Sequence, residues 1–404
     1  MVINTLHSIG ILGGGQLGMY SAEAAQQLGF QVHVFDQSAT CPASQIADQL
    51  WCGDFQDEAL LSQFAAQCDV ITLEFENIPL KTLQWLENHS GKTIAPASDI
   101  LKTTQHRILE KTWLQHHGIP VTPFVPMNSS ASLEAGVAQL GMPCVLKTAG
   151  SGYDGKGQAK IEAQSNLAKH WQQLFPNDSQ PQEAILEAWV SYQLEFSVIV
   201  ARNHQGDCVS FPPIVNHHAH HILDMSVFPG ILSASSETQN QLTEQATAIA
   251  QQIAHALKLV GLLTIEFFLT QEGKILVNEL APRPHNSGHL TREGFNVSQY
   301  EQHIRAITGL PLLVPEAKYP AIAMANLLGD WWQSQPEGWQ PSLPEDEQHH
   351  ASLNLYGKAQ AKPGRKMGHL VVWQNQSFGL EDLKTLRLRC CKKSTGDAIL
   401  HPPL

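Results

Sequence analysis

The sequence is short of positive charge. It carries 25 Lys+Arg against 37 Asp+Glu, a formal net charge of -12. That excludes the broad basic face of a nucleic-acid binder, so no nucleic acid is expected as a partner. No apolar run is long enough to span a bilayer, and no membrane segment is expected. The opening residues, MVINTLHSIGILGGG, have neither a cationic stretch nor a small-residue cleavage site. They read as a first strand rather than a signal peptide. No C-x-x-C pair occurs among the seven cysteines, and the adjacent Cys390 and Cys391 are poorly placed to share a metal. A reduced, cytoplasmic setting is the expectation. Charged residues are only 15% and hydrophobic ones 43%, which excludes a disordered chain. At 404 residues the chain is too long for one ordinary core, so two or three domains sharing a cleft are expected.

Residues 7–36 read as strand, glycine loop, helix, strand. SIGIL is followed by GGGQLG; Leu17, Ser21, Ala24 and Leu28 recur at helical spacing; Gly29 stops the helix before QVHVFD. The alternation continues through ADQLWCGDF, CDVITLEFENI and KTIAP, which implies an α/β domain with a doubly wound parallel sheet over residues 1–98. Residues 99–312 read as a second α/β region. Helices are expected over 99–117, 131–140 and 238–258, and strands in PCVLKT, AILEAWV, EFSVIVAR, LLTIEFFLT and KILVNEL. Residues 313–404, with AIAMANLLG, ASLNLYGK and MGHLVVW, read as a small β-rich cap, and the tail after Gln374 carries no signal.

Three motifs carry chemistry. Gly13-x-Gly15-x-x-Gly18 lies between a strand and a helix, with Asp36 ending the next strand, and matches the dinucleotide fingerprint in spacing. A tight turn without ligand, and a mononucleotide or small-anion site at the helix N-terminus, remain open beside it. In VLKTAGSGYDGKGQ, Lys147 precedes Gly150, Gly152, Gly155 and Gly157. Such a loop suits a lid over phosphates with a fixed cation beneath, although it is no Walker A sequence; a surface hairpin is the alternative. LLTIEFFLT and KILVNEL, joined by Gln-Glu-Gly, predict a hairpin that sets Glu266 opposite residues 277–279. Glu266 and Glu279, with Asn278, form a hard oxygen set that points to Mg²⁺. A one-residue slip would place the two carboxylates on opposite faces, so register decides. The run His217–His221 reads as a loop without a metal-ligand pattern. NELAPRPHNSGHLTREG, Asn278 to Gly294, packs charges between prolines and reads as a solvated loop or an active-site wall.

Together GGGQLG, EFENI (74–78), GYDGKGQ (152–158), NELAPRPHNSGH (278–289) and PGRKMGH (363–369) resemble the ATP-grasp superfamily. Within it the chain is similar to the 5-(carboxyamino)imidazole ribonucleotide synthases over residues 7–373. The resemblance implies an N-terminal domain, a central ATP-grasp domain, a C-terminal domain that closes the cleft, and a homodimer. It implies carboxylation of 5-aminoimidazole ribonucleotide by bicarbonate through carboxyphosphate, with ATP and Mg²⁺, giving ADP and phosphate in purine synthesis. A formate-using purine transformylase of the same superfamily is the alternative.

The resemblance also implies a site. Arg107 and Lys147 contact phosphates, under a lid of Gly152, Tyr153, Asp154, Gly155, Lys156, Gly157 and Gln158. Glu187, Ala188, Trp189, Val190 and Glu195 line the adenine and ribose pocket, with His218 near the nucleotide. Glu266 and Glu279 bind Mg²⁺, with Asn278 beside them. Gln16, Glu76, Tyr153, Asp154, Lys156, His285, Asn286, Ser287, Lys358 and Arg365 match substrate positions. Lys156, Asp154, Tyr153 and Arg283 are the catalytic candidates; Arg283 either touches the γ-phosphate or neutralises neighbouring carboxylates. Two departures stand out. Met19 and Tyr20 stand where the family often has an arginine, and Val215 replaces a glutamate of V-E-N-x-H, which leaves His217 and His220 as rivals of His218.

Overall fold

A computed structural model describes residues 6–150, 157–176, 183–230, 235–333, 335–345, 350–375 and 379–391. The first alternation of strands and helices gives β1 (Ser8–Leu12), β2 (Gln31–Asp36), β3 (Gln49–Cys52), β4 (Val70–Leu73) and β5 (Thr93–Ile94). They form one parallel sheet in the order β3-β2-β1-β4-β5. The chain winds outward from β1 in both directions, so the ends of β1 and β4 open a crevice at the switch in strand order. EFENI follows β4 as a loop at that crevice.

The glycine loop after β1 is filled from within. Gly15 N–H donates to Glu74 Oε1 at 2.8 Å and Gly18 N–H to Glu74 Oε2 at 3.1 Å. Gly14 N–H donates to Asp36 Oδ2 at 2.7 Å. Glu74 is buried, and a Cβ on Gly15 would overlap its carboxylate. Gly13 turns the chain at φ 95°, where a side chain would be strained. The N–H groups that would hold a pyrophosphate therefore hold the protein's own carboxylates. This removes the dinucleotide reading of the motif.

A second, antiparallel sheet contains β6 (Phe124–Met127), β7 (Cys144–Thr148), β8 (Gln158–Ile161) and β9 (Ala184–Ala188), ordered β6-β9-β7-β8. The third and largest sheet holds β10 (Tyr192–Arg202), β11 (Cys208–Ser210), β12 (Ile214–Ala219), β13 (Ile222–Phe228), β14 (Gly261–Thr270), β15 (Ile275–Ala281), β16 (Ala321–Leu328), β17 (Ala351–Leu355) and β18 (Lys366–Gln374). Its order is β15-β14-β10-β12-β13-β16-β18-β17, with β11 beside the second half of β10. The C-terminal strands thus continue the central sheet through the β13–β16 pairing.

The helix Ser236–Ala256 is capped by Ser235, whose side chain accepts from Thr238 N. Leu242, Ala246, Ile249, Ala250 and Ile253 line one face of it and pack against β10 and β14. The expected helix over 99–117 is two helices, Ser98–Thr104 and Arg107–His116, broken at Gln105 and His106. Gln105 is used elsewhere: its Nε2 donates to the carbonyls of Glu76 and Ile78, fixing the EFENI loop. The helix Gln299–Thr308 begins at the Ser298 cap and ends at Gly309, φ 74°. Its Tyr300, Ile304 and Ile307 complete the core beneath the first sheet, against Ile9, Ile11, Tyr20 and Ala24. The tail after Gln374 includes a helix, Leu380–Cys390, that buries Leu383 and Leu386.

Glu74→Gln presents an amide N–H₂ to one of the two loop donors. It is expected to lower stability by about 1.5–3 kcal/mol, the usual worth of a hydrogen bond to a charged group, read as a fall in the denaturant midpoint.

Candidate active site

The β14–β15 hairpin sets two carboxylates face to face. Glu266 pairs with Glu279, whereas Phe267 pairs with Val277, so Asn278 is the extra residue of a bulge. A bulge breaks the alternation that otherwise sends neighbours to opposite faces. Like charges directly opposite destabilise a sheet. Here they are answered by a side chain from the next segment: His285 Nε2 lies 2.9 Å from Glu266 Oε1, while its Nδ1 accepts from the Ser287 N–H. Burial pushes Glu266's carboxyl up, but the His285 hydrogen bond and charge, then His218 and Arg283, hold it down at about 2. Glu279 opens to the cleft. The surrounding walls nevertheless raise its carboxyl against the pull of Arg107, and Glu266 and Glu76 add to the rise.

One wall of the cleft comes from the helix Arg107–His116 and the four-stranded sheet. Arg107, Glu110 and Lys111 share a helix face at spacings of three and four. Arg107 Nη1 donates to Thr148 O at 3.0 Å. Glu110 Oε2 accepts from Leu280 N at 3.1 Å. Lys147 Nζ lies 2.7 Å from Glu187 Oε2, and Lys111 Nζ lies 3.8 Å from Glu187 Oε1. Burial pushes Glu187 up, but Lys111 and Lys147 hold its carboxyl at about 2. A pocket lined by Glu76, Asn77, Thr104, Gln105, Arg107, Glu110 and Glu279 opens between this wall and the hairpin. Glu187 is buried, so its carboxylate faces lysines; Ala188 and Val190 are half-buried, and Trp189 is exposed with Lys160 Nζ 4.3 Å from its ring centroid. Sequence reasoning missed Glu110 and Lys111, although QHRILEK spaces both on the face of Arg107.

The other wall is the run from Pro282 to Gly294. Arg283 Nε donates to Glu76, and although burial raises that carboxyl, Arg283 holds it at about 2. Of the two roles expected of Arg283, neutralising a carboxylate is the one this contact serves. The Gln299 amide clamps the backbone of His285, accepting from its N–H at 2.9 Å and donating to its carbonyl at 2.6 Å. His285 Nδ1 and Ser287 Oγ are 2.8 Å apart, and Ser197 Oγ lies 2.9 Å from Ser287 Oγ. Gln16 Nε2 donates to Asn286 Oδ1 at 3.3 Å, and Lys358 Nζ donates to Gln16 Oε1 at 2.9 Å. Burial, then Arg365, lowers Lys358 to about 8. Arg365 itself reaches the Gln360 carbonyl at 2.9 Å.

His217 and His218 lie on strand β12, not in the loop expected of that run; only His220 and His221 turn, at φ 50° and 65°. His218 Nδ1 pairs with Glu195, another residue expected at the nucleotide pocket. Gln158 starts β8, and Gly157 just before it accepts from Thr148 N–H at 2.8 Å. Gly152, Tyr153, Asp154, Gly155 and Lys156 lie outside the described residues.

Over 362 residues, 90% of each chain, the sequence is 40% identical to the N5-carboxyaminoimidazole ribonucleotide synthase of Bacillus subtilis. The chain belongs to the N5-carboxyaminoimidazole ribonucleotide synthase family. Three family models match it in turn: a ribonucleotide synthetase preATP-grasp domain over residues 6–105, an ATP-grasp domain over 112–300, and a phosphoribosylaminoimidazole carboxylase C-terminal domain over 322–381. A solved ADP complex of an N5-carboxyaminoimidazole ribonucleotide synthetase superposes with a TM-score of 0.85 at 37% identity, covering 96% of this chain and 98% of that one. The Aspergillus clavatus synthase, solved with ADP and 5-aminoimidazole ribonucleotide, gives 0.79 at 28% identity, covering 95% and 97%. Like other synthases of the family, this one is an ATP-grasp ligase.

The Glu187 cluster of this synthase yields a prediction. The folded carboxyl titrates at about 2 against an ordinary 4.5. Its contribution to stability is therefore complete above about 4.5 and is lost as pH falls through 2. Lys111→Met removes one buried partner and is expected to cost about 3–5 kcal/mol at neutral pH and to shrink the acid-dependent part of stability, both read by denaturation across pH.

Proposed function

We propose that the chain joins bicarbonate to the exocyclic amine of 5-aminoimidazole ribonucleotide, splitting ATP to ADP and phosphate, as a cytoplasmic homodimer. One contact carries this reading. His285 bonds Glu266 at 2.9 Å, while its neighbour Asn286 receives Gln16, so the carboxylate pair and the Lys358–Gln16–Asn286 cluster meet in one run of chain. Two substrates with reacting atoms at those two places lie next to each other.

Glu266 and Glu279 are the residues to hold Mg²⁺, with Asn278 at the bulge beside them. Among the described residues no group of three His, Cys, Asp or Glu side chains forms a cage of its own. A pair of carboxylates suits magnesium, which keeps several waters and takes phosphate oxygens. The mutual repulsion that raises Glu279 is what a divalent cation relieves. When bound, the ion screens phosphate charge during transfer.

In the first step a bicarbonate oxygen attacks the γ-phosphorus, the bond to ADP breaks, and carboxyphosphate forms. Arg107 and Lys147 neutralise the phosphates. Phosphate oxygens compete with Glu187 for Lys147, and Lys111 keeps Glu187 paired meanwhile. Ala188, Trp189 and Val190 line the base, with the Glu187 backbone, and Glu195 and His218 face the ribose. Carboxyphosphate then releases CO₂ and phosphate. The amine nitrogen attacks CO₂ and loses a proton, for which Asp154 is the candidate acceptor. Tyr153 and Lys156 steady the bicarbonate side, while Gly152 to Gln158 exclude water. Gln16, Glu76, His285, Asn286 and Ser287 position the ribonucleotide, and Lys358 and Arg365 take its phosphate. Arg283 keeps Glu76 ionised and placed.

The assay supplies ATP, Mg²⁺, bicarbonate and the ribonucleotide and follows ADP. Release that requires the ribonucleotide is expected; release independent of it overturns the proposal, and release supported by formate in place of bicarbonate points to a transformylase. Lys147→Ala is expected to slow turnover by about a hundredfold or more. Sedimentation at micromolar concentration tests the dimer. Lys358 titrates at about 8 and must be charged to take a phosphate, so its contribution is complete below that pH and lost above it. The KM for the ribonucleotide is expected to climb by up to about tenfold per pH unit above that point, and Lys358→Arg to flatten the rise.

A further inference from the structure

Behind Asn286 lies a buried cluster that the proposed chemistry does not use. Tyr20, His289, Tyr300, Tyr356 and His369 are all buried, and they come from the N-terminal, central and C-terminal parts of the chain. His289 and His369 stack at 4.1 Å between ring centroids. The Arg292 guanidinium sits 4.6 Å from the Tyr20 ring centroid and is paired with Glu23.

The hydrogen bonds through this cluster have a fixed direction. Lys358 can only donate. Its 2.9 Å contact therefore places the Gln16 oxygen toward Lys358, and the Gln16 amide nitrogen toward Asn286 at 3.3 Å. Asn286 must then turn its oxygen to Gln16. That same oxygen lies 3.2 Å from His289 Nε2, so His289 carries its proton on Nε2 and donates. His289 Nδ1 is left as an acceptor, 2.7 Å from the Tyr300 hydroxyl, which donates. Tyr356 Oη, 3.2 Å from His289 Nε2, sends its own proton to His369 Nδ1 at 2.8 Å. Burial keeps the His289 ring neutral and the Tyr300 hydroxyl protonated, as this assignment needs. Both lone pairs of Asn286 Oδ1 are now used. No acceptor among the described residues meets Asn286 Nδ2.

We infer that His289 and Tyr300 are positioning residues for the ribonucleotide: with Gln16 and Lys358 they lock the Asn286 amide so that it offers the cleft only N–H donors, matched to an oxygen of the ribose phosphate. This rests on the ribonucleotide site proposed above. A side-chain amide free to flip presents an acceptor to an anion in half of its orientations, and the chain of bonds removes that half.

Three variants test it. In His289→Gln the side-chain amide replaces the Nε2 donor, and the KM for the ribonucleotide is expected to stay within about twofold of wild type. In His289→Leu the donor is gone, and that KM is expected to rise about tenfold, the effect of one lost hydrogen bond, with the KM for ATP unchanged. Tyr300→Phe frees the ring to carry its proton on Nδ1 and is expected to raise the ribonucleotide KM about threefold. If His289→Leu does not fold, Tyr300→Phe with His289→Gln decides the matter. An unchanged ribonucleotide KM in the folded donor-lacking variant, or an equal rise in the KM for ATP, overturns the inference. Ribonucleotide-independent ADP release by the wild-type chain overturns the site reading and the inference together. Wild-type dependence on the ribonucleotide, with no effect of these variants on its KM, overturns the inference alone.

Discussion

Two carboxylates opposed across neighbouring strands are an unfavourable pair, and much of this molecule is arranged around keeping them there. Glu266 and Glu279 are held in register by a hairpin whose flanking cross-strand partners are apolar: Ile265 with Leu280, Phe267 with Val277, and Leu269 with Ile275. Apolar burial supplies the stabilisation that the charges oppose. Partners then arrive from three directions: His285 from the segment that follows β15, Arg107 from a helix, and His218 from β12. Arg107 and His218 are distant from the hairpin in sequence, so their share of this compensation depends on tertiary packing.

Alternation of strand and helix made the first sheet legible, and each of its five strands lies within a run named from the sequence. The meaning of the glycine loop was not legible. Spacing alone cannot say whether N–H donors at a helix start face a ligand or a side chain, and Glu74, fifty-nine residues from Gly15, settles it. The hairpin was predicted, but its register was not, because the bulge at Asn278 defeats a two-residue period. Strands β12 and β13 were missed because His217 and His218 in the first, and Asp224 and Ser226 in the second, interrupt the apolar pattern, and burial there comes from sheet neighbours that sequence does not reveal. The C-terminal strands were foreseen individually, but their joining the central sheet depends on a pairing, β13 with β16, that spans about a hundred residues.

Among the site residues, motif matching located Lys147, Glu266, Glu279, His285 and Asn286, but not who holds them. Lys111 and Gln299 lie outside the matched motifs, and each holds a motif residue: Lys111 pairs with Glu187, and Gln299 clamps His285. Residues that act by holding others carry no chemistry of their own in sequence. They become visible only as one end of a measured distance. The same holds for Tyr20, whose ring lies beneath the guanidinium of Arg292.

The nine-stranded sheet has a mechanical consequence. A continuous ladder from β15 to β17 behaves as a plate: it can twist slightly, but it has no crease along which one end can swing toward the other. Glu266 and the strands that carry Lys358 and Arg365 between them are therefore fixed at nearly constant span. The four-stranded sheet with Lys147 and Glu187 belongs to a different ladder. Directional ties join it to the helix Arg107–His116, through the Arg107 bond to Thr148 and the Lys111 pairing with Glu187, and Glu110 ties that helix in turn to the plate at Leu280. The hairpin carboxylates and the Lys147–Glu187 pair thus stand on separate ladders, and the helix that carries Arg107, Glu110 and Lys111 is the link between them.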